Sequence, residues 1–188
     1  MGSLISSQLN LQKVKDGFKD VLADLSKGGF QKIYSQIDQL SIKKGVDQLG
    51  LDKFINQCAL LAAGSGALTG AGGIATMLIG VPLDFINLIT QQFRVTLAVS
   101  YYKTGSYQLN FNDFFRIVAS SLKVDAGMTV SKNVMEEVAQ KLLLVFGGKA
   151  ARRLVPVVGA VIGGSANYMF IKRMAATVKK TQLAGLKR

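Results

Sequence analysis

The sequence predicts an all-α protein, a compact bundle of about seven to nine helices. Apolar residues recur at intervals of three and four along most of the chain. The patterned segments are bounded by capping residues at their starts and by glycines at their ends. Two further segments, Leu60–Val81 and Leu154–Ile171, are apolar almost throughout and rich in Gly and Ala.

The first amphipathic segment carries Leu11, Val14, Phe18, Val21, Leu22 and Leu25 on one face, with Lys and Asp on the others. Lys27-Gly28-Gly29 is its expected stop. Phe30, Ile33, Tyr34, Ile37 and Leu40 outline a second helix, and Lys43-Lys44-Gly45 reads as a break. Residues 1–50 are therefore expected to form an amphipathic N-terminal hairpin, 51–180 a helical core, and 181–188 a basic tail. The hairpin is a candidate docking arm for a protein partner.

Beyond Leu49-Gly50-Leu51, a helix is expected through Phe54, Ile55, Cys58 and Leu61. It leads into Gly64, Gly66, Gly70, Gly72 and Gly73, within 30 consecutive uncharged residues, 54–83. Each helix-interior glycine costs about 1 kcal/mol relative to Ala, so this many need a reason. One reason is a bend between two short apolar helices. The other is close helix contact through small residues, as in Gly66-x-x-x-Gly70 and Gly159-x-x-x-Gly163. Gly66, Gly70, Gly73, Gly159, Gly163 and Asn167 are accordingly the candidate helix-packing residues.

A helix from about Pro82 to Lys103 is apolar nearly all round except for Asp84, Asn87, Gln91 and Arg94. Their spacings of 3, 4 and 3 put all four on one face. This stripe is either the helix's wet face or a buried polar stripe satisfied by a partner helix. Asp84 and Arg94 lie nearly three turns apart, so they do not pair with each other. Tyr101, Tyr102 and Tyr107 then fit an interfacial belt or a loop packed on a core. Asn110–Asp113 caps a helix through Leu122 that Gly127 ends. Ser131 caps the next, which Gly147-Gly148 closes. Leu154–Ile171 has 18 residues, the minimum for a span, with Arg152 and Arg153 before it and Lys172 and Arg173 after it.

Charge and composition restrict the chemistry. The net charge is +12, and residues 130–188 supply eleven basic against two acidic side chains. Arg152, Arg153, Lys172, Arg173, Lys179 and Lys180 are candidate contacts for anionic membrane lipid. Basic residues are not interleaved with aromatics expected to be exposed and no recognition motif is present, so no nucleic acid is expected as a partner. The chain has no His and no Trp, and Cys58 is its only cysteine. A Ser-His-Asp triad, a thiolate metal cluster and an internal disulfide are all excluded. The phosphate-binding Gly-x-x-x-x-Gly-Lys-Ser/Thr is absent. No catalytic residue, metal, cofactor or small-molecule substrate is therefore expected. Cys58 reads as a core residue.

One order of elements is familiar. The Gly/Ala run leads to Ile79-Gly80-Val81-Pro82-Leu83-Asp84, then to Gln91-Gln92-Phe93-Arg94 and Tyr101-Tyr102. Val155-Pro156-Val157-Val158-Gly159-Ala160-Val161-Ile162-Gly163-Gly164 follows, with Asn167 and Phe170. Over about residues 55–178 this resembles the EcsC family of bacterial membrane-associated proteins. The resemblance implies an all-α fold and membrane association. It carries over no catalytic residue, because the family's activity is undefined.

Three functional readings stand at this point. The first is a membrane-associated scaffold or accessory factor, peripheral or partly embedded on the cytoplasmic face, its basic C-terminal third on anionic lipid. The N-terminal stretch lacks an early basic region followed by an apolar block, so it is not expected to be a secretory signal peptide; Met1-Gly2-Ser3-Leu4-Ile5-Ser6 fits a myristoylation pattern. The second is a soluble all-α interaction module that self-associates through its GxxxG faces. The third is a pore-former, soluble first and inserted later.

Overall fold

A computed structural model describes residues 19–64, 83–150 and 160–181, with side chains omitted at 145–150 and 160–164. Among these residues the protein is all-helical, and seven α-helices follow a short π-turn. The π-turn spans Leu25–Gly29. The helices are α1 (Phe30–Ser35), α2 (Gln39–Leu49), α3 (Leu51–Ala63), α4 (Leu83–Thr104), α5 (Phe111–Ser121), α6 (Lys132–Ala150) and α7 (Ala160–Lys180).

Helix α4 is the axis of the bundle. Fourteen of its 22 residues are buried. Helices α1, α2, α3, α5 and α7 all pack against it, and α6 packs on the π-turn and α5. Helices α3 and α7 are antiparallel neighbours. Asp52 at the start of α3 meets Lys179 at the end of α7, and Ala62 at the end of α3 meets Asn167 near the start of α7.

Aromatic side chains fill the interior beside α4. Phe30 from α1 lies 5.0 Å from Phe115 of α5, and Phe93 of α4 lies 4.8 Å from Phe114 of α5, ring centre to ring centre. Ile33, Ile42, Val46, Phe54, Ile86, Ile89, Ile171 and Val178 share this core. Residues 25–49 thus contribute to the central core. Their link to it is polar as well: Tyr34 on α1 donates its hydroxyl to the Leu109 carbonyl, and the Gln39 amide pairs with both main-chain groups of Leu109 at 3.0 and 3.1 Å. Without these partners the Leu109 peptide, in the α4–α5 loop, would need water or another polar group.

Several helix boundaries follow local chemistry. Gly28, at φ 128°, takes a backbone conformation that side-chain-bearing residues avoid, and it kinks the chain where a stop was expected. Gly50, at φ 78°, separates α2 from α3. Asn110 accepts the Asp113 N–H at 2.9 Å as the N-cap of α5, and Ser131 accepts the Val134 N–H at 3.3 Å at the start of α6.

Other boundaries depart from expectation. The second helix does not run to Leu40: Asp38 caps a new helix by accepting the Leu40 N–H at 3.0 Å. Lys43-Lys44-Gly45 is no break but lies inside α2. Gly45 serves close approach there, since a Cβ on it would sit 2.7 Å from the Phe54 ring of α3. Helix α5 ends at Ser121, ahead of Gly127, and the chain turns through Lys123 at φ 59°. Gly147-Gly148 does not close α6, which continues to Ala150; glycine weakens a helix without ending it. Finally, α7 starts inside the second apolar run and continues past Ile171 to Lys180. The six residues Leu154–Gly159, like Met1–Phe18 and Ser65–Pro82, lie outside the described residues.

Candidate functional site

The polar stripe on α4 divides. Asp84 is exposed at the first turn, so its assignment to a buried stripe is corrected. A carboxylate there faces the positive end of the helix dipole and is solvated. Asn87 and Gln91 are buried, and Arg94 is half-buried. The three form a directed relay. Arg94 Nη1 donates to Gln91 Oε1 at 3.2 Å, Gln91 Nε2 donates to Asn87 Oδ1 at 3.1 Å, and Asn87 Nδ2 donates to the Leu61 carbonyl at 2.9 Å. The Arg94 guanidinium also lies 5.6 Å from the Phe54 ring centre, within cation–π range.

The relay ends at the C-terminus of α3. The last carbonyls of a helix have no partner within it and must find one elsewhere. Here three consecutive ones are satisfied from three directions. Gly64 N–H donates to Leu60 at 3.0 Å, Asn87 to Leu61, and Asn167 Nδ2 to Ala62 at 3.0 Å. Asn167 is buried, and its neighbour Tyr168 donates its hydroxyl to Asn56 on α3.

These contacts gather the end of α3, the start of α4 and the N-terminal part of α7 at one pole of the bundle. The two described ends that flank the first Gly/Ala-rich run therefore lie beside the start of α7, which belongs to the second. Leu60, Leu83 and Met169 are exposed on these same three helices. At the opposite pole Lys179 Nζ lies 2.5 Å from Asp52 Oδ1, and Lys103 Nζ donates to the Thr181 carbonyl at 2.9 Å.

The remaining candidate residues are distributed as follows. Gly66, Gly70, Gly73, Gly159, Arg152 and Arg153 lie outside the described residues, while Gly163 is within α7. Lys172 is half-buried and Arg173, Lys179 and Lys180 are exposed, all on α7. Lys179 is paired with Asp52, which holds the Asp52 carboxyl below its usual range. Tyr101 donates to Asp47 Oδ1 at 2.7 Å and carries Lys43 above its ring, whereas Tyr102 points to solvent.

Cys58 is fully buried, and desolvation pushes its thiol up to about 11, partly opposed by the Arg94 charge. Such a thiol is protonated and unreactive at neutral pH. Among the described residues no group of His, Cys, Asp or Glu is arranged to hold a metal ion. No helix among them is long and apolar enough to cross a membrane.

Sequence reasoning passed over one residue. Gln92, next to the stripe, is completely buried, and among the described residues neither its Nε2 nor its Oε1 has a hydrogen-bond partner. A glutamine on the otherwise apolar side of α4 was the available signal. No family model, curated protein or solved structure matches the chain.

Proposed function

We propose that the chain is a membrane-associated helical protein that works without catalysis, as a scaffold or accessory factor on the cytoplasmic face of a membrane. The observation that carries this reading is the convergence at one pole. Asn87 and Asn167 bind adjacent carbonyls of α3, and this brings the described ends flanking the first Gly/Ala-rich run together with the start of α7, which lies in the second. Exposed Leu60, Leu83 and Met169 belong to the helices that meet there. An apolar end on a chain of net charge +12 suits an anionic bilayer, where apolar contact and headgroup attraction act together. The EcsC-like order of motifs supports the same reading.

Flotation of the full chain with anionic and neutral liposomes tests it. Flotation with anionic liposomes is the expected result. Retention through high-salt and carbonate washes would mean insertion at the apolar pole; release by salt alone would mean headgroup contact. Absence of flotation with either liposome would overturn the proposal and leave a soluble interaction module, to be tested by its oligomeric state.

A further inference from the structure

We infer that the outward flank formed by α3 and α7 is the surface that lies on the anionic bilayer. This inference rests on the membrane reading above and names the face that carries it.

Helix α7 is two-sided in the folded protein. Ile171, Met174, Ala175 and Val178 are buried in the core and are not available to lipid. The outward stripe is Met169, Lys172, Arg173, Ala176 and Lys180, at helical spacings of three and four. Met169 to Lys180 spans about 16 Å along the axis. Beside it, α3 presents Lys53 and Leu60, both exposed. Along this flank Asp52 is the acidic side chain, and Lys179 already pairs with it. The flank therefore grades from apolar at the pole, with Leu60 and Met169, to basic towards the other end, with Lys53, Lys172, Arg173 and Lys180.

That gradient decides the occupant. A phosphate-rich polymer would be met by the basic part alone and would leave Leu60 and Met169 in water. A bilayer interface accepts both. Apolar side chains enter the acyl boundary while Lys and Arg stay among the headgroup phosphates. Because the apolar face of α7 is used inside the protein, contact is by adsorption of its basic face, and it weakens with salt.

The test uses the full chain with phosphatidylcholine vesicles made with and without phosphatidylserine. Replacing the flank cations, K172Q/R173Q/K180Q, is expected to weaken binding to the phosphatidylserine vesicles roughly a hundredfold. The control K32Q/K44Q/K123Q removes the same charge from exposed positions on other elements and is expected to bind much as the parent does. The chain has no tryptophan, so single probes report depth directly. M169W and L60W are expected to shift to the blue on vesicles, and M128W, in the exposed α5–α6 loop, is not.

Equal weakening by the two triple variants, or a blue shift at Met128 without one at Met169, would overturn the flank while the membrane reading stood. A parent protein that ignores both vesicles would overturn the membrane reading itself. Loss of duplex DNA retention in the flank variant, from a parent that ignores vesicles, would assign the surface to nucleic acid instead.

Discussion

Asn167 on α7 donates its side-chain amide to the carbonyl of Ala62 on α3, 105 residues earlier in the chain, at 3.0 Å. A helix end that would otherwise carry an orphan carbonyl is closed by a residue that only the folded chain brings near.

Asn167→Ala should therefore destabilise the protein by about 1–3 kcal/mol, because a buried acceptor is left without a donor. Asn167→Asp keeps the volume but replaces the donor with an acceptor, and it should cost at least as much. Thermal unfolding followed by circular dichroism measures both. An aspartate variant as stable as the parent would show that the site is one of shape alone.

Gln92 makes the opposite prediction. Its amide is buried with neither atom paired among the described residues, an arrangement that costs about 1–3 kcal/mol in mutational data. Gln92→Leu or Gln92→Met should raise the melting temperature by several degrees. A fall would mean that the amide has a partner in solution.

Gly45→Ala tests the contact between α2 and α3. Alanine gains about 1 kcal/mol of helix propensity over glycine. The new methyl would lie 2.7 and 2.8 Å from two carbons of the buried Phe54 ring. Overpacking of this kind costs about 1–3 kcal/mol, so the net effect should be destabilising. Adding Phe54→Leu should recover part of the loss, and a double-mutant cycle in denaturant measures the coupling.

Cys58 gives a pH dependence with a definite sign. Burial holds its folded value at about 11, above the ordinary thiol value of about 9. The unfolded chain therefore loses this proton first as pH rises. The stabilisation is complete below about pH 9 and is lost as pH rises through about 11. It amounts to at most about 3 kcal/mol. The stability difference between the parent and Cys58→Ala should shrink across that window. At pH 8 a thiol reagent should modify Cys58 only as fast as the protein opens.

Local chemistry made much of the helical frame legible. Asn110 and Ser131 cap their helices with their own side chains, and Gly28 and Gly50 take positive φ angles. Each needs only its neighbours in sequence to act. Gly45 looked like the same punctuation beside Lys43 and Lys44, yet its role comes from Phe54 on another helix. The Asp84–Arg94 stripe was visible from its spacing. Which members were wet depended on the position of α3.

The sequence by itself determined an all-α chain, the residues that start and stop several of its helices, and a C-terminal third carrying most of the charge. Those properties come from side-chain periodicity and from capping contacts within a few residues. Only the tertiary structure decided that Asp84 faces water while Asn87 and Gln91 are buried. Only it decided that the ends flanking the first apolar run meet the start of α7, within the second, at one pole, and that Lys179 lies at the other. The physical reason is that a helix end needs partners it cannot supply. Here those partners come from α4 and α7, 26 and 105 residues away along the chain.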